Sequence, residues 1–83
     1  MAIVVPIENV LHEEENTSRF GVRRMMAVLE KQGQIEPLQV RIASGVPQYR
    51  TFRQDTYGNE ILMAARALGW PTILIVEMKR FEE

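Results

Sequence analysis

GNEILMAARALGWPTILIVEM, residues 58–78, is the stretch that decides the fold. Ile61, Leu62, Ala65 and Leu68 recur at the spacing of one apolar helical stripe, and Gly69 suits the left-handed position that stops a helix. The spacing predicts a helix from about Asn59 to Leu68. Ala64 and Ala65 are small enough for that helix to lie close against a sheet. Trp70-Pro71 then turns the chain. Thr72 to Met78 is apolar on both faces, which predicts an interior strand. A helix running straight into such a strand calls for one helix layer on one sheet layer.

Working outward, Leu38, Val40 and Ile42 alternate with Gln39, Arg41 and Ala43, the period of a half-buried strand. Ser44-Gly45-Val46-Pro47 supplies turn chemistry, and Gln48 to Phe52 resumes an extended pattern, so the pair reads as a hairpin. Arg53 to Gly58 is polar and reads as a loop. Further upstream, Val22, Met25, Met26 and Leu29 form a second helical stripe within a helix from Phe20 to about Gln32, stopped by Gly33. One of Met25 and Met26 is expected in the core. Thr17 or Ser18 is the expected cap, because a hydroxyl there accepts a free first-turn amide. Leu11 to Ser18, with Glu13-Glu14-Glu15, reads as an acidic loop. Ile3 to Ile7 is β-branched and reads as a strand, placed at a sheet edge because Pro6 has no amide to donate. The expected order is β-α-β-β-α-β: a two-layer α+β domain with a mixed sheet, spanning 1–83 with a charged tail at 79–83.

Composition narrows the function. Eighty-three residues make one core, and the 46% hydrophobic content is that of a globular chain. With no cysteine, thiolate nucleophiles and cysteine-ligated zinc are excluded. Ten basic against eleven acidic residues leave a net charge of -1, without the basic surplus that drives nonspecific nucleic-acid binding. Residues 1–6 lack the pattern of a signal peptide, and no apolar run approaches a membrane span. The expectation is a cytoplasmic protein with no membrane contact.

The segments "VPIENV", "GQIEPLQVR", "QYRTF", "GNEILMAARALGW" and "PTILIVEM", in this order, resemble the N-terminal ParB-like domain of the ParB/sulfiredoxin superfamily. "GQIEPLQVR" and "AARALGW" are the strongest matches. The resemblance covers nearly the whole chain and implies that family's two-layer fold. In many members a Gly-Glu-Arg-Arg turn binds phosphate, with amides at a helix start and arginine side chains. Here Gly58 matches the glycine, but Asn59, Glu60 and Ile61 occupy the next three positions. Both arginines are therefore missing, as is the cysteine that sulfiredoxins carry at this turn.

By family position, the residues implied near the cleft are Arg19, Arg50, Arg53, Gln54, Thr56, Tyr57, Gly58 and Asn59. Asn16 and Arg19 echo the polar stretch before the family's first helix. Tyr57 is the aromatic favoured for function. The alternative for the whole loop 53–59 is a plain polar connection. Arg19, Arg23 and Arg24 form either a small basic patch for phosphate or an acidic partner, or the exposed flank of a helix of mixed charge. Glu30 and Lys31 favour the flank. His12 has no orienting partner motif and reads as a solvated loop residue. His12 with Glu13–Glu15 lacks metal-ligand spacing, so no metal and no cofactor is expected. A nuclease is the weakest reading, because no carboxylate cluster is visible.

The leading expectation is a non-enzymatic, stand-alone ParB-like module acting through a macromolecular partner. Its ending after the first module, without the family's helix-turn-helix region, suits a phage or plasmid cargo protein. The alternative is nucleic-acid or nucleotide binding through the loop 53–59. Oligomeric state is left open by the sequence.

Overall fold

The structure, a computed structural model, describes residues 1–12, 17–43, 45 and 48–78. The acidic loop Glu13–Glu15 with Asn16, most of the hairpin turn and the charged tail 79–83 lie outside the described residues.

Strand β1 (Ala2–Pro6) leads through a 3-10 turn (Ile7–Asn9) to a two-residue strand β2 (Val10–Leu11). Helix α1 (Arg19–Gln32), strands β3 (Leu38–Ile42) and β4 (Tyr49–Thr51), helix α2 (Thr56–Ala67) and strand β5 (Thr72–Glu77) follow. The five strands form one sheet in the order β1-β5-β3-β4-β2. β1 runs antiparallel to β5, β5 parallel to β3, β3 antiparallel to β4, and β4 parallel to β2. The architecture is α+β with a mixed sheet, as expected.

Two features differ from the sequence reading. β2 is a fifth strand that no pattern announces: it is two residues long and pairs Val10 with Tyr49 and Leu11 with Arg50, some forty residues away. Helix α2 begins at Thr56, three residues before the predicted start, so the polar loop shrinks to residues 53–55. The cause is Asp55, whose carboxylate accepts from the Gly58 amide at 3.0 Å and caps the helix.

The other elements form for the reasons read from the sequence. Ser18 caps α1, its hydroxyl accepting from the Gly21 amide at 3.2 Å. Gly33 (φ 75°) and Gly69 (φ 79°) take the positive-φ positions that end the two helices. β1 is an edge strand, and Ile7 donates to Pro71 O at 3.0 Å. Because backbone groups alternate along an antiparallel strand, the nitrogen of Pro6 faces away from β5 and its missing proton costs no ladder bond. β5 is interior, flanked by β1 and β3, although Leu74 and Val76 on its second face are only half-buried.

The core lies between the helices and one face of the sheet. Met25 and Leu29 of α1 and Ile61, Leu62, Ala64 and Ala65 of α2 meet Val5, Val10, Leu38, Val40, Ile73 and Ile75. Of the two adjacent methionines, Met25 is the buried one and Met26 packs at the rim. Trp70 packs against this core just before β5, as its place after the helix stop predicts.

Gln34 closes a gap in the sheet. Its side-chain amide donates to Leu74 O at 2.8 Å and accepts from Leu74 N at 2.9 Å. One side chain thus replaces the strand neighbour that β5 lacks before β3 begins. At the other end of the sheet, the Arg66 guanidinium of α2 donates to the Val10 carbonyl of β2. Burial lowers the Arg66 pKa from its ordinary value.

Candidate functional site

The starts of the two helices lie side by side. A Cβ at Gly21, in the first turn of α1, would come within 2.6 Å of the Glu60 carboxyl carbon in α2. Gly21 is the residue type that allows this approach. Glu60 is only 7% exposed, and among the described residues no cation pairs with it. This junction is where the sequence places the candidate cleft.

The α2 side of the junction is closed. The Asp55 carboxylate sits over Gly58 and takes up its amide, where an anion approaching this helix start would bind. Asn59 is 0% exposed and points inward. Its Nδ2 donates to Phe52 O and to Asp55 O, each at 2.8 Å, and its Oδ1 accepts from the Thr51 hydroxyl at 2.5 Å. Every polar atom of that side chain is used inside the fold, so Asn59 is a structural clasp between α2, the loop before it and β4. Gly58 is likewise buried, between Asp55 and Leu38. These two expected ligand residues have no group left to offer.

The remaining expected residues divide by position. Arg53 and Gln54 are exposed in the turn before α2, and Thr56 and Tyr57 are exposed on its first turn, Tyr57 at 53%. Arg50 is half-buried on β4 beside Leu11. Arg50 and Arg53 are both already engaged in interactions within the molecule. Thus Arg53, Gln54, Thr56 and Tyr57 are exposed around the start of α2, while Gly58 and Asn59 belong to the interior.

Arg19 stands apart, at the exposed start of α1 with Phe20 and Arg23. Arg19, Phe20 and Arg23 line a shallow cavity of about 340 Å³. A second cavity, of about 250 Å³ and more apolar, lies near Trp70, lined by Val4, Gln34, Pro71 and Leu74 among others. His12 is half-buried, with Nε2 at 2.8 Å from the Thr17 hydroxyl. Among the described residues, no three His, Cys, Asp or Glu side chains come together as metal ligands. Nor is any helix among them long and apolar enough to cross a membrane.

Sequence reasoning missed Asp55 and Glu60. Aspartate just before an apolar periodic run is a helix-start signal, which would have identified Asp55. Glu60 precedes Ala64 by one turn on the buried face of α2, but its neighbour Gly21 lies on another helix and no local pattern joins them.

No protein-family model matches the sequence, and no curated protein matches it either. The fold does match solved structures. The C-terminally truncated chromosome-partitioning protein ParB from Caulobacter crescentus, complexed with CTP-γ-S, superposes with a TM-score of 0.77 at 15% identity, over 99% of this chain and 46% of that one. Sulfiredoxin from Arabidopsis thaliana superposes with a TM-score of 0.72 at 21% identity, over 96% of this chain and 86% of that one. The chain therefore spans less than half the length of that ParB chain. Both superpositions cover nearly all of this chain, with its two helices and mixed sheet, and this protein has the ParB/sulfiredoxin-like fold.

Proposed function

We propose that this protein is a non-enzymatic binding module of the ParB/sulfiredoxin-like fold that acts through a macromolecular partner and has given up the nucleotide site at its second helix. One observation carries the reading: the Asp55 carboxylate occupies the Gly58 amide at the start of α2. A phosphate brought to that amide would have to displace a covalently tethered anion and then sit beside its charge. The side chains expected to hold a phosphate are missing or already used, because Asn59 is bonded internally and Arg50 and Arg53 are engaged. What the α2 side still offers is the exposed Gln54, Thr56 and Tyr57, polar with one aromatic. Such a surface suits contact with another macromolecule better than enclosure of a small ligand. A phage or plasmid origin rests on the family resemblance of the sequence, and a cytoplasmic setting on its lack of cysteine and of a signal-peptide pattern.

Titration calorimetry with CTP and ATP tests this. Flat titrations to millimolar nucleotide are expected, with no release of inorganic phosphate. Saturable binding of CTP that disappears on replacing Arg50 and Arg53 would instead establish nucleotide recognition in the manner of the CTP-bound ParB, and the proposal would fail.

A further inference from the structure

We infer that the outward face of α1 is a docking surface for an acidic protein segment bearing an apolar side chain. This deepens the binding-module reading by naming the chemistry of the partner, and it rests on a surface other than the exposed α2 residues.

Along α1, Arg19, Phe20, Arg23, Arg24, Ala27 and Lys31 are all exposed. At about 100° per residue they fall on one side of the helix, with Phe20 and Ala27 near the middle and the cations around them. The helix carries four cations and one anion, Glu30, in a chain whose net charge is -1. Among the described residues no carboxylate pairs with Arg19, Arg23 or Arg24. Glu60 meets the helix at Gly21, on its buried face. Phe20 is 74% exposed, the most exposed aromatic side chain among the described residues. The Arg24 guanidinium stands 5.9 Å from its ring centroid, a contact that holds the ring on the surface. On its other side, Arg19 and Arg23 border the cavity of about 340 Å³.

Guanidinium groups with no carboxylate partner among the described residues, around an exposed ring, are the composition of an interface hot spot. The charge calls for carboxylates, which arginine grips with two parallel hydrogen bonds. The ring calls for one apolar side chain between them. From Arg19 to Lys31 the strip is roughly 18 Å long, the length of a few turns of a partner helix. A nucleic-acid strand fits less well: it needs a positive groove that tracks several phosphates, whereas these three arginines lie within two helical turns of a net acidic protein.

The test uses two labelled synthetic peptides and a labelled oligothymidylate. One peptide is a leucine-containing helix with glutamates spaced one turn apart; the other has each glutamate replaced by glutamine. By fluorescence anisotropy the glutamate peptide is expected to bind at least about tenfold more tightly than the glutamine one, and to weaken as salt rises from about 50 to about 300 mM. Amide shifts in the labelled protein should concentrate in residues 19–31. The triple variant R19E/R23E/R24E should abolish binding, and Phe20→Ser should weaken it about tenfold, both with unchanged melting profiles because these side chains are outside the core. Equal binding of the two peptides, or wild-type binding by the triple variant, overturns the inference. Tighter binding of oligothymidylate reassigns the surface to nucleic acid, and self-association lost in the triple variant reassigns it to a second copy of this chain. Each of those results also overturns it. CTP binding would sink the proposed function while leaving this surface standing, so the two failures are distinguishable.

Discussion

The two helix starts use the same device to opposite ends. Each is capped by a side chain three residues before the amide it satisfies, Ser18 to Gly21 and Asp55 to Gly58. In α1 the cap is neutral, and the residues after it, Arg19, Phe20 and Arg23, turn outward. In α2 the cap is anionic, and after the exposed Thr56 and Tyr57 the residues Gly58, Asn59 and Glu60 turn inward and are buried. A cap satisfies the helix in both cases. Its charge and the direction of the residues that follow decide whether the helix start stays on the surface or locks the fold. The pair therefore predicts where substitutions damage the fold and where they affect only recognition.

The largest effect should come from the clasp inside α2. Asn59→Ala removes three buried side-chain hydrogen bonds, to Thr51, Phe52 and Asp55, although Phe52 O keeps the Asp55 amide, Asp55 O keeps its helical amide and the Thr51 hydroxyl keeps Leu11 O. Each lost hydrogen bond is worth about 0.5–1.5 kcal/mol, and neighbouring losses are not additive. A destabilisation of about 3 kcal/mol is expected in urea unfolding, a large share of the stability of so small a domain. A change below about 1 kcal/mol would show that Asn59 is not a clasp and that the two helix starts are more alike than described.

A smaller effect sits at the contact between the starts. Gly21→Ala places a methyl group against the Glu60 carboxylate, and overpacking of this kind costs about 1–3 kcal/mol. Glu60→Ala removes the obstacle, so the double variant should recover most of that loss in a double-mutant cycle. If the two losses simply add, the close approach of α1 and α2 at this point is not as drawn.

How much of this was visible in the sequence follows from the range of each interaction. Met25 and Leu29 on one helix, and Ile61, Leu62 and Ala65 on the other, are periodic, and the structure buries all five. The β3–β4 hairpin was legible because both strands alternate and a turn lies between them, and the pairing of Val40 with Thr51 bears this out. β2 was invisible because two residues carry no period, and its partner is far away in sequence. Asn59 was misplaced because family position put it at a cleft, although it precedes Leu62 by three residues, the spacing of the buried stripe. The polarity of residues 53–58 places Gly58 in a loop, whereas it is the third residue of a capped helix. The Gln34 bridge to Leu74 spans forty residues and follows from no local rule. In the candidate site the exposed side chains were legible and the inward ones were not, because direction depends on which helix lies behind them.

The mildest substitutions test the comparison most sharply, because they remove only the caps. Both Ser18→Ala and Asp55→Ala delete one side-chain acceptor, a change worth about 0.5–2 kcal/mol. If the caps differ only in position, the two losses should match. The structure makes them differ: Asp55 adds a negative charge at the positive end of the α2 dipole, an extra of about 0.3–1 kcal/mol that salt screens. The Ser18 hydroxyl is neutral and has no such addition. Asp55→Ala should therefore cost more than Ser18→Ala at low salt, and the gap should narrow as salt rises while the Ser18→Ala loss stays level. Asp55→Asn separates the two contributions, since the amide oxygen can still accept from Gly58 without the charge, and its loss should equal the salt-sensitive part alone. A gap that ignores salt would mean that the α2 start is closed by shape and hydrogen bonding, with no anion in place of a phosphate. The proposed loss of nucleotide binding would then rest on the internally bonded Asn59 and the missing arginines of the turn.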